Sequence, residues 1–228
     1  DQRRSRAVNV LRAVLWKDLL AEWRSRDRLP AMAVFALLTV VVLRFSQPGG
    51  ALAVGIEAAP GLLWVVFVFA AVLGMNRGFA LELENEALSA LALAPADRGW
   101  VFLGKALSSL VLLLLAQLTA ALFFAVIFDL DLWGVALPFS GVAALGALGL
   151  TAAGTLFAGI AVRTRFREVM LPLLLFPLLV PLLVPCVQAT AGLLRDGRVD
   201  AGALQLLVVY DGVFLIASFI LFEYVLDE

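Results

Sequence analysis

Six long apolar stretches constrain the fold of this chain more than any other feature. They cover residues 29–45, 61–80, 101–128, 135–162, 169–191 and 203–224. About 20 apolar residues suffice for a helix to cross a hydrocarbon core of about 30 Å. Unpaired backbone groups are too costly in lipid, and the alternating segments of a membrane barrel are missing. The sequence therefore predicts an all-α, polytopic membrane bundle of about six transmembrane helices.

The overall composition supports this class. The chain is 63% hydrophobic and 15% charged, whereas a soluble domain averages about a quarter charged residues. It contains no histidine, which removes the commonest metal and haem ligand, and a single cysteine, which excludes an internal disulfide framework. We expect Cys186 to be a small buried hydrophobic residue, and we expect this chain to bind no cofactor or metal itself.

The lysines and arginines predict the orientation. Fourteen of them would lie on one side of the membrane, and only Arg44, Arg195 and Arg198 on the other. The positive-inside rule then places both termini, the loop from about 77 to 105 and the loop 163–168 in the cytoplasm. The fourteen are Arg3, Arg4, Arg6, Arg12, Lys17, Arg24, Arg26, Arg28, Arg77, Arg98, Lys105, Arg163, Arg165 and Arg167.

Residues 1–28 are predicted to form an amphipathic helix on the cytoplasmic membrane surface, ahead of a six-helix transmembrane domain at 29–228. Its helical periodicity separates an apolar side from a basic side. Simple interfacial anchoring and an elbow helix that borders a partner are both compatible with this pattern. The apolar side comprises Val8, Leu11, Leu15, Leu19 and Trp23, and the basic side Arg3, Arg6, Lys17, Arg24 and Arg28.

Residues 77–100 form the most informative cytoplasmic segment. The stretch from Phe79 to Pro95 is long enough for a short helix that Pro95 would end. Glu82 and Glu86 would share a face of that helix, where like charges repel by a few tenths of a kcal/mol. A basic surface opposite, formed either by Arg77 and Arg98 of the same loop or by another protein, would relieve this repulsion, although a merely solvated loop would fit the same pattern.

Three features lie within the spans. Pro172, Pro177, Pro181 and Pro185 each remove a backbone donor, so we expect the fifth span to be kinked or divided, as a structural kink or as a hinge. Glycines in the fourth span permit close backbone approach of neighbouring helices. Asp211 is an acid well inside the sixth span, which makes it a polar candidate for function.

Standard catalytic arrangements are missing from the sequence. It contains no phosphate-binding Gly-x-x-x-x-Gly-Lys loop, no histidine for acid–base or zinc chemistry, and no serine in a nucleophile elbow. We expect that the chain is not an enzyme and does not hydrolyse ATP.

Several short motifs, taken in order, resemble the CcmB family, the permease subunit of the cytochrome c maturation system. The proline-rich fifth span and the number of spans are also similar to that family. Its Phe-x-x-Asp element corresponds to Phe79-Ala-Leu-Glu82 here, which keeps the negative charge. The motifs are Ala59-Pro60-Gly61-Leu62-Leu63-Trp64, Arg77-Gly-Phe79, Glu82-x-Glu84, Ala87-Leu88, Leu91-x-Leu93-x-Pro95 and Leu103-Gly104-Lys105.

The resemblance implies a multi-pass subunit of the bacterial inner membrane that works with a cytoplasmic ATPase, CcmA. It implies further partners, the membrane subunits CcmC and CcmD and the haem chaperone CcmE, and no nucleic acid. ATP and Mg would bind the ATPase, and haem the assembled complex. The predicted ATPase-coupling interface comprises Phe79, Glu82, Glu84, Glu86, Leu88, Leu91 and Pro95.

Two other classes of protein stay open. An ion-coupled secondary transporter would need coupling charges in the membrane, for which Asp211 is the candidate. A passive membrane scaffold would need no ATPase.

Overall fold

The computed structural model describes residues 2–46, 57–84, 98–161 and 167–227. Within these ranges the chain forms seven α-helices and one short 3₁₀ helix, and it contains no strand. The helices are α1 (Gln2–Ser25), α2 (Arg28–Phe45), α3 (Ala59–Glu84), α4 (Arg98–Phe128), α5 (Ala136–Ala161), α6 (Arg167–Asp196) and α7 (Ala201–Asp227), and the 3₁₀ helix is Trp133–Val135.

Helices α2 to α7 are long and apolar enough to cross a membrane. They correspond to the six predicted stretches, so the all-α polytopic fold class is confirmed, and the chain is a multi-pass membrane protein. Helix α4 has 31 residues and is therefore about 46 Å long at 1.5 Å per residue. This exceeds a hydrocarbon core of about 30 Å, as the length of the third stretch predicted.

Successive spans run in opposite directions, so the bundle has two ends. We call the end that holds α1, the start of α2 and the start of α4 the basal end, and the opposite one the distal end. Arg28, Arg77 and Lys105 lie at the basal end, whereas Arg44 lies 5.8 Å from the Phe128 ring at the distal end. Basic residues assigned to opposite sides of the membrane thus lie at opposite ends of the bundle.

Helix α5 lies at the centre of the bundle and packs against α3, α4, α6 and α7. Three of its glycines leave hollows that side chains of other helices fill. The hollow at Gly146 is filled by Trp64 and Cys186. Asp211 and Leu182 fill the hollow at Gly149, and Met75 fills the hollow at Gly154. At these glycines side chains of neighbouring helices lie directly against the backbone of α5, and close approach of the backbones themselves stays a prediction.

Helix α1 exists as predicted, but its most buried positions lie along one edge of its predicted apolar side, where Leu11, Leu15 and Leu19 are half-buried. Val14, Asp18 and Glu22, spaced by four residues, are its buried positions. Val8 and Trp23 of the apolar side are 45% and 75% exposed. The reason is that partners on α4 and α2 accommodate the two acids, so that Val8 and Trp23 of the apolar side stay exposed.

Helix α6 is one continuous helix that includes all four prolines, so it is not divided. Its buried side consists of Leu171, Leu175, Leu179, Leu182 and Cys186. Pro177 and Pro181 are exposed, Pro172 is half-buried and Pro185 is buried. Burial of Cys186 at 0% exposure confirms its prediction as a small buried hydrophobic residue, and the prolines stay predictions as hinges.

Candidate functional site

The predicted coupling segment connects α3 to α4 at the basal end. Phe79, Glu82 and Glu84 belong to the last turns of α3, which ends at Glu84. The other predicted interface residues, Glu86, Leu88, Leu91 and Pro95, lie outside the residues that the structure describes. Helix α4 begins at Arg98, next to the end of the segment. Any force on this segment therefore acts first on the basal ends of α3 and α4.

The elbow between α1 and α2 is held by the carboxylate of Glu22. Its Oε1 accepts the backbone N–H of Arg28 at 3.1 Å and that of Leu29 at 2.8 Å. Arg26 has a φ of 53°, in the left-handed region, which allows the chain to turn between the helices. An acceptor at the start of α2 satisfies free amide groups, and its negative charge is favourable at a helix N-terminus.

Two arginines connect this elbow to α3. The Nε of Arg28 donates to the backbone oxygen of Gly74 at 3.1 Å, and Nη1 of Arg77 donates to the backbone oxygen of Asp27 at 3.2 Å. The guanidinium of Arg28 lies so close to Gly78 that a Cβ there would be 2.6 Å from its Cζ. The start of α2 is thus fixed against the last turns of α3.

Helix α1 is connected to α4 by buried polar groups. The Oγ of Ser108 donates to Oδ2 of Asp18 at 3.0 Å, and Nζ of Lys17 lies 2.9 Å from Oδ1 of the same carboxylate. Lys105, at 2% exposure, is buried one turn before Ser108. Gly104 faces Val14, and a Cβ there would lie 2.8 Å from the Cβ of Val14. The small residue is what allows the two helices to pack closely.

An apolar cluster extends this arrangement to the rest of the bundle. Val14 of α1 and Phe102 of α4 pack with Leu156 of α5 and Phe222 of α7. The rings of Phe102 and Phe222 have centroids 5.4 Å apart. The basal ends of α5 and α7 therefore contact the same structure that holds α1 and α4 together.

We call Asp18, Glu22, Arg28, Arg77 and Ser108 the basal junction. It links the α1–α2 elbow to both helices that flank the coupling segment, through hydrogen bonds of 2.8 to 3.2 Å. Asp18, Glu22 and Ser108 were not predicted from the sequence, because the contact face of α1 was inferred from its apolar side chains alone. The spacing of Val14, Asp18 and Glu22 by four residues was the signal that could have found them.

Asp211 lies far from the basal junction, in the centre of the bundle. It is 3% exposed and occupies the hollow at Gly149, where a Cβ would lie 2.6 Å from its Oδ1. Neither carboxyl oxygen has a hydrogen-bond partner among the described residues. The adjacent Tyr210 donates its hydroxyl to the backbone oxygen of Leu178 at 3.2 Å. A buried acid without a partner stays a candidate for function.

Trp64, which ends the first of the family-like motifs, holds α3 against α6. Its indole N–H donates to Oγ1 of Thr190 at 2.9 Å, and that hydroxyl donates to the backbone oxygen of Cys186 at 2.8 Å. The indole is 1% exposed. Burial of a large aromatic ring with its donor satisfied explains this residue by packing.

Comparison with known proteins agrees with the motifs. The profile of the family described as "CcmB protein" matches residues 9–224. The chain is 33% identical to "Heme exporter protein B" of Rhodobacter capsulatus over 173 residues, covering 74% of this chain and 76% of the relative. It is 29% identical to "Heme exporter protein B" of Paracoccus denitrificans over 208 residues, covering 90% and 91%. With six membrane spans and a match over nearly its whole length, this chain belongs to the CcmB family.

Proposed function

We propose that this chain is the permease subunit of an ABC-type complex that handles haem for cytochrome c biogenesis. It converts ATP hydrolysis by a separate cytoplasmic subunit into rearrangement of the membrane complex and release of the haem-loaded chaperone. The chain itself performs no catalysis. Membership of the CcmB family and the name of the two relatives support the haem-handling class.

The basal junction is the observation that supports a coupling role. It connects α1 and α2 to both helices that flank residues 77–100, so displacement of this segment moves four helices together. The apolar cluster then reaches α5 and α7. A segment tied in this way transmits force to the bundle, whereas a solvated loop on flexible ends would absorb it.

In this proposal the basal end is cytoplasmic and the membrane is the bacterial inner membrane. Phe79, Glu82 and Glu86 dock in a cleft of the ATPase, and Glu84, Leu88, Leu91 and Pro95 complete the contact surface. The ATPase, corresponding to CcmA, binds ATP and Mg. CcmC, CcmD and CcmE are the further partners, and haem is handled in the assembled complex.

Charge reversal tests the docking surface. The Glu82→Lys/Glu86→Lys chain, co-expressed with its ATPase, should lose the ATPase on purification or lose the dependence of ATP hydrolysis on this chain. We expect at least a tenfold fall in the co-purified ATPase, because two attractive contacts become repulsive. Removing one partner of a buried interfacial charge pair already costs about 2 to 5 kcal/mol.

A matched control reverses two acids at the distal end. Glu57 and Asp196 are exposed there, so Glu57→Lys/Asp196→Lys makes the same change of net charge away from the basal end. This control should retain the ATPase. Full coupling in the Glu82→Lys/Glu86→Lys chain would refute the docking surface, and an active complex without any nucleotide-hydrolysing subunit would favour a passive scaffold.

A further inference from the structure

A polar cleft of about 910 Å³ lies at the distal end of the bundle, where α6 passes into α7. Arg195 and Arg198, two of the three basic residues assigned to this side of the membrane, line the cleft together with Gln188. All three residues are exposed. The cleft therefore offers guanidinium and amide donors to a ligand from outside the bundle.

The turn that carries the two arginines is fixed at both ends. Gly197 has a φ of 65°, in the left-handed region that glycine favours at the end of a helix, and its N–H donates to the backbone oxygen of Leu193 at 3.0 Å. At the start of α7, Oδ2 of Asp200 accepts the backbone N–H of Ala203 at 2.9 Å. The backbone therefore holds both arginines at defined positions beside the cleft.

The donors of these arginines exceed the acceptors that the cleft supplies. Arg195 donates from Nε to Oδ2 of Asp196 at 3.1 Å, and its two terminal nitrogens make no such contact within the described part of the chain. The guanidinium of Arg198 has neither a hydrogen bond nor an ion pair with any residue that the structure describes. Guanidinium groups bind phosphate and carboxylate through paired hydrogen bonds. The cleft is therefore suited to an oxyanion.

An apolar groove of about 590 Å³ between α4, α5 and α7 adjoins this cleft, and Val199 lines both. Along α5 the groove extends from Pro138 to Leu148, which is ten residues or about 15 Å. This is half the thickness of a hydrocarbon core of about 30 Å. At Gly141, which lines the groove, a Cβ would meet nothing within 4 Å among the described residues. The groove is therefore open, and it is as long as one leaflet is deep.

The cleft and the groove together select the occupant. A free phosphate ion would fit the cleft but leave the groove empty. The same face of a second copy would bring its own arginines against Arg195 and Arg198, and like charges repel. A phospholipid carries a phosphate at the membrane surface and acyl chains that reach the depth of one leaflet, so it matches both parts of the site.

We propose that the distal cleft and the adjoining groove bind one phospholipid. Arg195 and Arg198 hold its phosphate, and one acyl chain lies in the groove along α5. This site goes beyond the proposed coupling function, because it lies at the distal end and the coupling segment lies at the basal end.

The test uses the full chain, purified in detergent with its co-expressed partner subunits and titrated with dioleoylphosphatidylglycerol. Native mass spectrometry should show saturable binding of one lipid per chain at this site. Gly141→Phe fills the groove, and Arg195→Gln/Arg198→Gln removes the charged donors. Each variant should weaken this binding about tenfold or more, since hydrogen bonds to charged groups are among the strong ones.

Two matched controls should bind the lipid as the wild-type chain does. Leu206→Phe places the same ring at a position that is 57% exposed and lies outside the groove. Arg12→Gln/Arg24→Gln makes the same change of net charge at exposed positions of α1. Inorganic phosphate and dioleoylglycerol, which supply the anion or the tails alone, should each displace the lipid at least tenfold less effectively than phosphatidylglycerol.

Four results would overturn the proposal. The first is equal lipid binding by the wild-type and Gly141→Phe chains, and the second is equal loss in Arg12→Gln/Arg24→Gln, which would assign the effect to net charge. The third is full displacement of the lipid by inorganic phosphate, which would leave only an oxyanion site. The fourth is loss of a partner subunit from Gly141→Phe with unaltered lipid binding, which would assign the groove to a helix of that partner.

Discussion

The basal junction and the centre of the bundle both bury polar side chains, but they satisfy them differently. At the basal junction Asp18 accepts a hydrogen bond from Ser108 at 3.0 Å, and Oε1 of Glu22 accepts two backbone N–H groups, while only its Oε2 has no partner among the described residues. In the centre, the carboxylate of Asp211 and the amide of Gln117 have no partner among the described residues. The centre is held together by side chains that fill glycine hollows on α5.

This difference separates two roles for buried polar groups. Satisfied groups join helices and give the basal end a defined geometry, which suits an element that transmits force. Unsatisfied groups in an apolar surrounding add no stability, so they do not hold the helices together. The three predictions that follow test this contrast, from the largest expected effect to the smallest.

Overpacking of a glycine hollow should cause the largest loss of stability. In Gly146→Ala the new methyl group would collide with the buried ring of Trp64 and lie 2.9 Å from Sγ of Cys186. We expect a loss of about 1 to 3 kcal/mol, measured as a lower apparent melting temperature of the detergent-purified protein. Gly141→Ala is the control, because a Cβ there meets nothing within 4 Å among the described residues. Equal melting of the two variants would contradict the hollow-filling arrangement.

Removal of the cap at the α1–α2 elbow should have an intermediate effect. Glu22→Leu removes the acceptor of two backbone N–H groups and should cost about 1 to 2 kcal/mol, as loss of a helix cap does. Glu22→Gln retains an acceptor oxygen and should cost less. The loss of stability is measured as the apparent melting temperature of each variant. ATP hydrolysis by the co-purified complex measures the effect on coupling. An equal loss in both would mean that the charge and not the acceptor holds the elbow.

Neutralising the central acid should have the smallest effect. In Asp211→Asn we expect no loss of stability and unchanged haem handling, because the carboxylate has no partner to lose within the described part of the chain. The matched exchange Asp18→Asn, which weakens a bonded carboxylate, should cost about 1 to 2 kcal/mol. Loss of function with retained stability in Asp211→Asn would instead favour an ion-coupled transporter.

The extent to which the sequence predicted this site differs between its parts. The position of residues 77–100 between two spans follows from hydropathy alone, and the family-like motifs identified the same segment. The basal junction was not predicted, because Asp18 and Glu22 look like ordinary surface charges in the sequence. Only their burial against α4 and α2 distinguishes them from Lys17 and Arg24, which are exposed.

The sequence by itself determined the helical class, the number of spans and their approximate bounds. These follow from local properties, since each apolar stretch must form its own helix in lipid whatever its neighbours are. The tertiary structure decided which face of α1 packs inward, which side chains fill the hollows of α5, and which polar groups find partners. Those outcomes depend on pairs of residues distant in the chain, such as Trp64 with Thr190 or Asp18 with Ser108, and no local pattern encodes such pairs.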